Sequence, residues 1–247
     1  MPTLSGFRAH FPWVVLTVLQ PGSAYALRVT VPQTMRPSKQ RPRVRKGEIA
    51  AVIGGALLLA GSWVVVAATQ QVPHWESRVF EAVNDLPDFL WRPLWAPMQV
   101  GSFVGSLVVV ALTGLISRNV RLTLAALVAS QLAFWLSKAV KTTVSRGRPE
   151  ALLANVHLRE HAHGLGYVSG HTAVAFALAA VLVPSLPRGW QPVAWVIAAL
   201  VALARVYAGV HLPLDVVGGA GLGLLLGTLT RWSFGLGGEG LPVEPIG

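Results

Sequence analysis

Apolar residues fill this chain in long blocks, with neither the one-faced stripe of a surface helix nor the alternation of a half-buried strand. Six blocks, at about 49–69, 94–117, 120–140, 171–187, 190–209 and 213–232, are long enough to cross a bilayer as helices, which takes roughly 17–25 residues. Strand signals are absent, so the expected class is all-α, a six-transmembrane-helix bundle. Connections after the second, fourth and fifth blocks are short and make those helices antiparallel neighbours. Two connections are long, 70–93 and 141–170, and the second is rich in charge and histidine. In "GGAGLGLLLG", Gly219, Gly223 and Gly227 recur every four residues, a spacing that lets another helix approach closely in a membrane. Trp63, Trp91, Trp95, Trp190 and Trp232 stand near block ends, where tryptophan anchors a helix at the interface.

Composition sharpens this picture. Of 247 residues, 53% are apolar and 12% charged, against about 25% charged in soluble domains. A polytopic membrane protein follows, with the lipid bilayer as its first partner. The absence of cysteine excludes disulfides and thiolate metal sites. The net charge of +10 is concentrated, since eight of the twenty Lys and Arg precede the first acidic residue, Glu48. A basic stretch flanking an apolar helix marks the cytoplasmic side, so nucleic acid is not an expected partner.

Residues 1–47 are expected to form a basic, disordered tail, 48–233 the membrane domain, and 234–247 a Gly/Pro-rich tail. "FPWVVLTVL" (11–19), with Arg8 ahead and "SAYA" behind, mimics a signal peptide. Cleavage there would leave Arg36, Lys39, Arg41, Arg43, Arg45 and Lys46 outside, against the positive-inside bias. A tail, or a translation start at Met35, is the preferred reading. With the amino terminus cytoplasmic, 70–93, 141–170 and 210–212 face outward, while 117–121, Arg188 and Arg231 face inward. Loop 141–170 then holds Lys141, Arg146, Arg148 and Arg159 on the disfavoured side. Such a placement implies a purpose, such as holding an anion.

Three clusters stand at those outward helix ends: "KTTVSRGRP" with Lys141 and Arg148-Pro149, "VSGH" with Ser169-Gly170-His171, and "RVYAGVHLPLD" with Arg205, His211 and Asp215. Arg presents a planar fork of donors to phosphate oxygens, and Lys adds a point charge. Ser169 and Gly170 lead into a helix, whose unpaired first N–H groups attract anions. Pro213 suits a first helical turn, which puts His211 just before that helix and Asp215 within it. The carboxylate can then reach back to one imidazole nitrogen and leave the other free to attack. Taken singly, each cluster has a plainer reading. His171 could be a satisfied interfacial histidine, Arg205 and Asp215 a neutralising pair, and Lys138 a snorkelling anchor. Two histidines, a carboxylate and three cations at helix ends on one side are harder to ascribe to packing.

With these residues the sequence resembles the type 2 phosphatidic acid phosphatase family of membrane lipid phosphatases, related to acid phosphatases and vanadium haloperoxidases. That family's signature reads K-x6-R-P, then P-S-G-H, then S-R-x5-H-x3-D. Lys141, Arg148 and Pro149, then Ser169, Gly170 and His171, then Arg205, His211 and Asp215 match it over roughly 49–232. Val168 and Ala204 depart from it, replacing the motif's proline and serine; neither change removes a charge or a nucleophile. The resemblance implies a phosphohydrolase that needs no metal or cofactor, with its active site at the outward-facing helix ends. In it His211 would attack phosphorus to form a phosphohistidine, oriented by Asp215, and His171 would serve as acid and then base. Lys141, Arg148, Arg205 and the backbone at Ser169 and Gly170 would bind the phosphate. Undecaprenyl diphosphate, phosphatidylglycerol phosphate and phosphatidic acid are the substrates it suggests.

Other readings stay open at this point. "HLREH" (His157, Glu160, His161, with His163 nearby) has the H-x-x-E-H form of a zinc peptidase, yet it lies in a loop with glycine soon after. We read these residues as the mouth of the site or as solvated. The same phosphohistidine could pass its phosphate to a lipid or sugar acceptor, which would make the chain a phosphotransferase. Alternatively Arg205, His211 and Asp215 could form the relay of a transporter, though a relay needs polar groups spread through the membrane rather than gathered at one face. Vanadium haloperoxidases are typically soluble, unlike this chain.

Overall fold

The computed structural model describes residues 46–69 and 71–238, together with the backbone of three strands within 8–30. The chain separates into two compact units, Met1–Arg41 and Pro42–Gly247. In the first, β1 (Arg8–Phe11), β2 (Val14–Leu19) and β3 (Ala26–Thr30) pair antiparallel in chain order. Phe11 stands opposite Val14, and Leu19 opposite Ala26. These strands correct the all-α expectation for this stretch, which the sequence pattern reads as a disordered tail. "VVLTVL" is rich in β-branched residues, which favour strands, and its six residues cannot span a bilayer. The basic run at 36–45, the alternative start at Met35 and the tail beyond 238 lie outside the described residues.

The second unit has helices and no strands among its described residues. Its helices are α1 (Lys46–Ala68), α2 (His74–Asn84), α3 (Trp91–Met98), α4 (Phe103–Ser117), α5 (Val120–Val144), α6 (Pro149–Leu152), α7 (Gly170–Leu182), α8 (Gln191–Tyr207) and α9 (Pro213–Ser233). Four described segments are long and apolar enough to cross a membrane: Lys46–Ala68, Val120–Leu152, Arg188–Tyr207 and Pro213–Ser233. Two expected spans differ from the sequence reading. The block at 94–117 is broken into Asp88–Gly101 and Phe103–Ser117, which meet at 69°. At the break Ser102 caps α4, its hydroxyl accepting from Gly105 N at 2.9 Å. The block at 171–187 forms only the thirteen-residue α7 and a following 3-10 turn. α7 is apolar all round and buried on nearly every side, the mark of a bundle's central helix.

Close helix contacts hold this centre. A Cβ on Gly223 would lie 2.3 Å from the Ala173 carbonyl oxygen, and one on Gly227 2.5 Å from that of Ala177. The glycine stripe therefore seats α9 directly on the α7 backbone, the small-residue packing expected in a membrane. On the other side of α9, Gly221 meets Gly55 of α1 in the same way. At one end of the bundle Arg231 pairs with Glu48 at 3.4 Å and donates to the Val181 carbonyl at 2.9 Å. Trp232 also donates to Glu48, at 3.1 Å, so it is a lock between α1 and α9 as well as a residue at a helix end. The opposite end gathers α2, α6, the loop 153–169, the start of α7, the end of α8 and the start of α9.

Candidate active site

The turn between α8 and α9 places the central histidine. Gly209 has φ +77°, and a Cβ there would stand 2.7 Å from the His157 carbonyl oxygen. Only glycine enters that conformation cheaply, and it returns the chain so that His211 N meets the Arg205 carbonyl at 3.3 Å. Leu212 and Pro213 then open α9, with Asp215 in its first turn. Asp215 reaches back as its position allows: Oδ2 lies 3.3 Å from His211 Nδ1 and accepts from Leu212 N at 2.9 Å. His211 is 2% exposed and Asp215 fully buried. Burial, and then the charges of Lys141, Arg205 and Arg148, hold the His211 imidazole well below its ordinary pKa. A neutral ring that donates from Nδ1 to Asp215 keeps the Nε2 lone pair available.

Cations surround this histidine. Lys141, in the last turn of α5, donates to the carbonyls of Leu165 and Gly166 at 2.8 and 2.9 Å, which leaves one ammonium proton free of those bonds. Arg148, just ahead of Pro149 and α6, holds the carbonyls of Gly164, Val210 and His163 at 2.8–3.0 Å. Arg205, in the last turn of α8, meets Glu160 at 2.6 Å. Its Nε is buried without a hydrogen-bond partner, an open donor in a basic pocket. His171 is the second residue of α7 and half-buried; Arg205, His211, Lys141 and Arg148 all act on it electrostatically. Ser169 is buried and gives its N–H to the Asp215 carbonyl at 2.9 Å. The free amides at this helix end therefore begin at Gly170. The fold thus brings together all eight site residues named from the sequence.

Two further residues of this site carry no signature in the sequence. Arg146 donates to Asp215 Oδ1 at 3.0 Å and grips both oxygens of Glu76, at 3.1 and 2.5 Å. Glu76, fully buried, also accepts from Leu214 N at 2.9 Å. It comes from α2, inside the connection 70–93, where Glu76, Phe80 and Asn84 form the buried face at a spacing of four. Two of those three are polar, so an apolar-periodicity scan passes over the helix. Arg146 is one of the outward charges expected to hold an anion, and the anions it holds are the protein's own carboxylates.

The remaining sequence candidates fall elsewhere. "HLREH" lies in the non-helical loop 153–169, so no helix face aligns its histidines. His157 is 3.5 Å from Asp85, and Glu160 turns to Arg205. A surface hollow of about 490 Å³ is bounded by Asp88, Trp91, His157, Leu158 and Arg159. Arg159 is committed there to Asp88 and to the carbonyls of Asn84, Tyr207 and Leu86. Neither His171 nor His211 borders that hollow, which is peripheral to the basic pocket. Val168 and Ala204, the two departures from the signature, are fully buried in apolar clusters. Lys138 lies over the rings of Phe134 and Trp135 at 4.3 and 4.8 Å, as a snorkelling cation does.

Comparison with known proteins places this geometry. The bacitracin transport permease protein BcrC of Bacillus licheniformis is 33% identical over 120 residues, 47% of this chain and 58% of that protein. Phosphatidylglycerophosphatase B of Bacillus subtilis (strain 168) is 36% identical over 102 residues, 39% of this chain and 50% of that protein. The matches thus span less than two thirds of either relative. Among solved structures, Aquifex aeolicus LpxE has a TM-score of 0.62 at 25% identity, covering 66% of this chain and 99% of that one. A transmembrane PAP2 type phosphatidylglycerolphosphate phosphatase from Bacillus subtilis has a TM-score of 0.62 at 24% identity, covering 75% and 94%, a likeness of fold. The profile of the PAP2 superfamily matches residues 107–236, more than half of the sequence and a range that contains Lys141 through Asp215. This chain belongs to the PAP2 superfamily.

Proposed function

We propose that the chain is an integral-membrane phosphatase of lipid phosphates or diphosphates, working through a phosphohistidine at His211. The observation that carries this reading is the buried His211–Asp215 pair set among Lys141, Arg148 and Arg205. His211 Nε2 attacks phosphorus as the P–O bond to the lipid alcohol or phosphate breaks, and His171 gives the departing oxygen its proton. In the second step His171 takes a proton from water, water attacks phosphorus, and the P–N bond breaks to release inorganic phosphate and neutral His211. Proton transfer to and from a reacting oxygen is a common task of a positioned imidazole. Asp215 holds the His211 tautomer and balances the positive charge on the phosphohistidine. Lys141, Arg148, the open Nε of Arg205 and the α7 amides from Gly170 onward bind the non-bridging oxygens, where charge spreads during phosphoryl transfer.

A site at helix ends leaves a polyprenyl or acyl tail in the bilayer while the head group enters the pocket. Undecaprenyl diphosphate, phosphatidylglycerol phosphate and phosphatidic acid are therefore the candidate substrates, and the relative named phosphatidylglycerophosphatase B supports this class. The relative named a transport permease would favour a relay instead. Against that, the described helix segments 49–68, 103–117, 122–137, 172–182, 191–204 and 216–230 carry no charge between the two ends of the bundle. The cation-rich pocket suits a phosphate anion better than a metal ion, so no metal is assigned to the reaction. Phosphate release by the purified protein over those three lipids, with and without EDTA, tests this directly. Turnover of at least one lipid, unchanged in EDTA, is expected. Solute flux without phosphate release would overturn the proposal, and EDTA inactivation reversed by zinc would restore the "HLREH" reading.

A further inference from the structure

We infer that Glu76 and Arg146 are positioning residues for His211, an inference that rests on the phosphohistidine reading above. The chain of contacts is continuous. Glu76 takes Arg146 in a two-pronged grip, Arg146 donates to Asp215 Oδ1, and Asp215 Oδ2 faces His211 Nδ1. Both carboxylates also hold the start of α9, Asp215 through Leu212 N and Glu76 through Leu214 N. His211 precedes Leu212 directly, so its backbone and its ring are set by the same two groups. The Asp215 carboxylate is held by three donors, which fixes its plane as well as its place.

Charge gives Glu76 a second task. Arg146 beside Asp215 alone would cancel the carboxylate that must balance a positive His211. With Glu76 added, two carboxylates share one guanidinium, and the triad keeps a net negative charge toward the histidine. All three side chains are buried, at 0%, 8% and 0% exposure. Burial of ions is a poor source of stability, and α2 already has Phe80 and Asn84 to hold it in place. Phe80 packs with Val206 and Leu212, and Asn84 bonds the backbones of His157 and Tyr207. A role in chemistry explains what packing alone does not. The residues touch no reacting atom; they act through Asp215.

Quench-flow with a ³²P-labelled lipid phosphate separates this effect from a structural one. Wild-type protein is first shown to carry label on His211. Glu76→Gln, which keeps the side chain's shape, should then slow phosphoenzyme formation about 10–100-fold, the usual scale for groups that orient a ligand or base through another. Its KM should stay within about twofold, because no phosphate-binding residue is touched. Added to Asp215→Asn, the change should cost nothing further, since both act on the same group. If thermal melting finds Glu76→Gln unfolded, Arg146→Lys serves instead: it keeps the charge, gives up the two-pronged grip, and should show the same kinetic split. A folded variant with the wild-type rate, a loss confined to KM, or a full additional loss on top of Asp215→Asn would overturn the inference. Wild-type protein without label on His211 would overturn the reading beneath it, whatever Glu76 does.

Discussion

His171 opens α7 where two glycines and a serine give way to a wholly apolar helix. An ionisable side chain there needs a partner or a task, and the basic pocket around His211 supplies one. If His171 is the general acid, His171→Ala should slow turnover of a lipid phosphate by about 10²–10⁴-fold. That loss should shrink with a nitrophenyl ester, whose leaving group needs little protonation. His211→Ala should gain nothing from the better leaving group, because the attack itself is missing. Equal losses on both substrates in His171→Ala would deny it the acid role. At this scale the site was legible wherever its residues follow one another closely in the chain. The i, i+4 relation of His211 and Asp215, with Pro213 between them, carries its own geometry. Glu76 stands far from Arg146 in sequence, so only the folded chain reveals the pair.

Helices were legible where they are uniformly apolar and misread where polarity is used internally. The second block reads as one span because average hydropathy passes over Gln99, Gly101 and Ser102. There the chain turns, and a Cβ on Gly101 would lie 2.4 Å from the His171 carbonyl oxygen. α2 is silent in apolar periodicity for the opposite reason, since its buried face is mostly polar. The strands at 8–30 are hard to read because a short apolar run, too brief to span a bilayer, has the composition of a signal peptide as well as of a strand. The glycine stripe, by contrast, was read correctly, and it can be tested. Gly223→Ala puts a methyl group into the α7 backbone and should destabilise the protein by about 1–3 kcal/mol, as overpacking does. Gly54→Ala, with nothing within 4 Å of the new methyl, is its control. Melting in detergent should fall for the first and hold for the second; equal midpoints would deny the close seat of α9 on α7.

At the scale of the molecule, the two ends of the bundle are chemically distinct. Glu48 and Arg231 mark one end, and the His211 pocket the other. We expect the pocket to face outward, with residues 117–119 on the cytoplasmic side. The chain has no cysteine, so Thr143→Cys and Ser117→Cys, both at exposed positions, can be labelled singly with an impermeant thiol reagent in intact cells. Thr143→Cys should label and Ser117→Cys should not; the reverse pattern would turn the protein over. Family membership and membrane character could be read from motif order and apolar blocks, because both depend on residue type and spacing along the chain. The most direct measurement of the central claim is the phosphoenzyme itself. Purified protein is mixed with a labelled lipid phosphate or diphosphate, quenched in alkali, where phosphohistidine survives, and the label is mapped. Phosphate should be found on His211 and be lost in His211→Ala. Label that persists in His211→Ala, or that maps to another residue, would contradict the account.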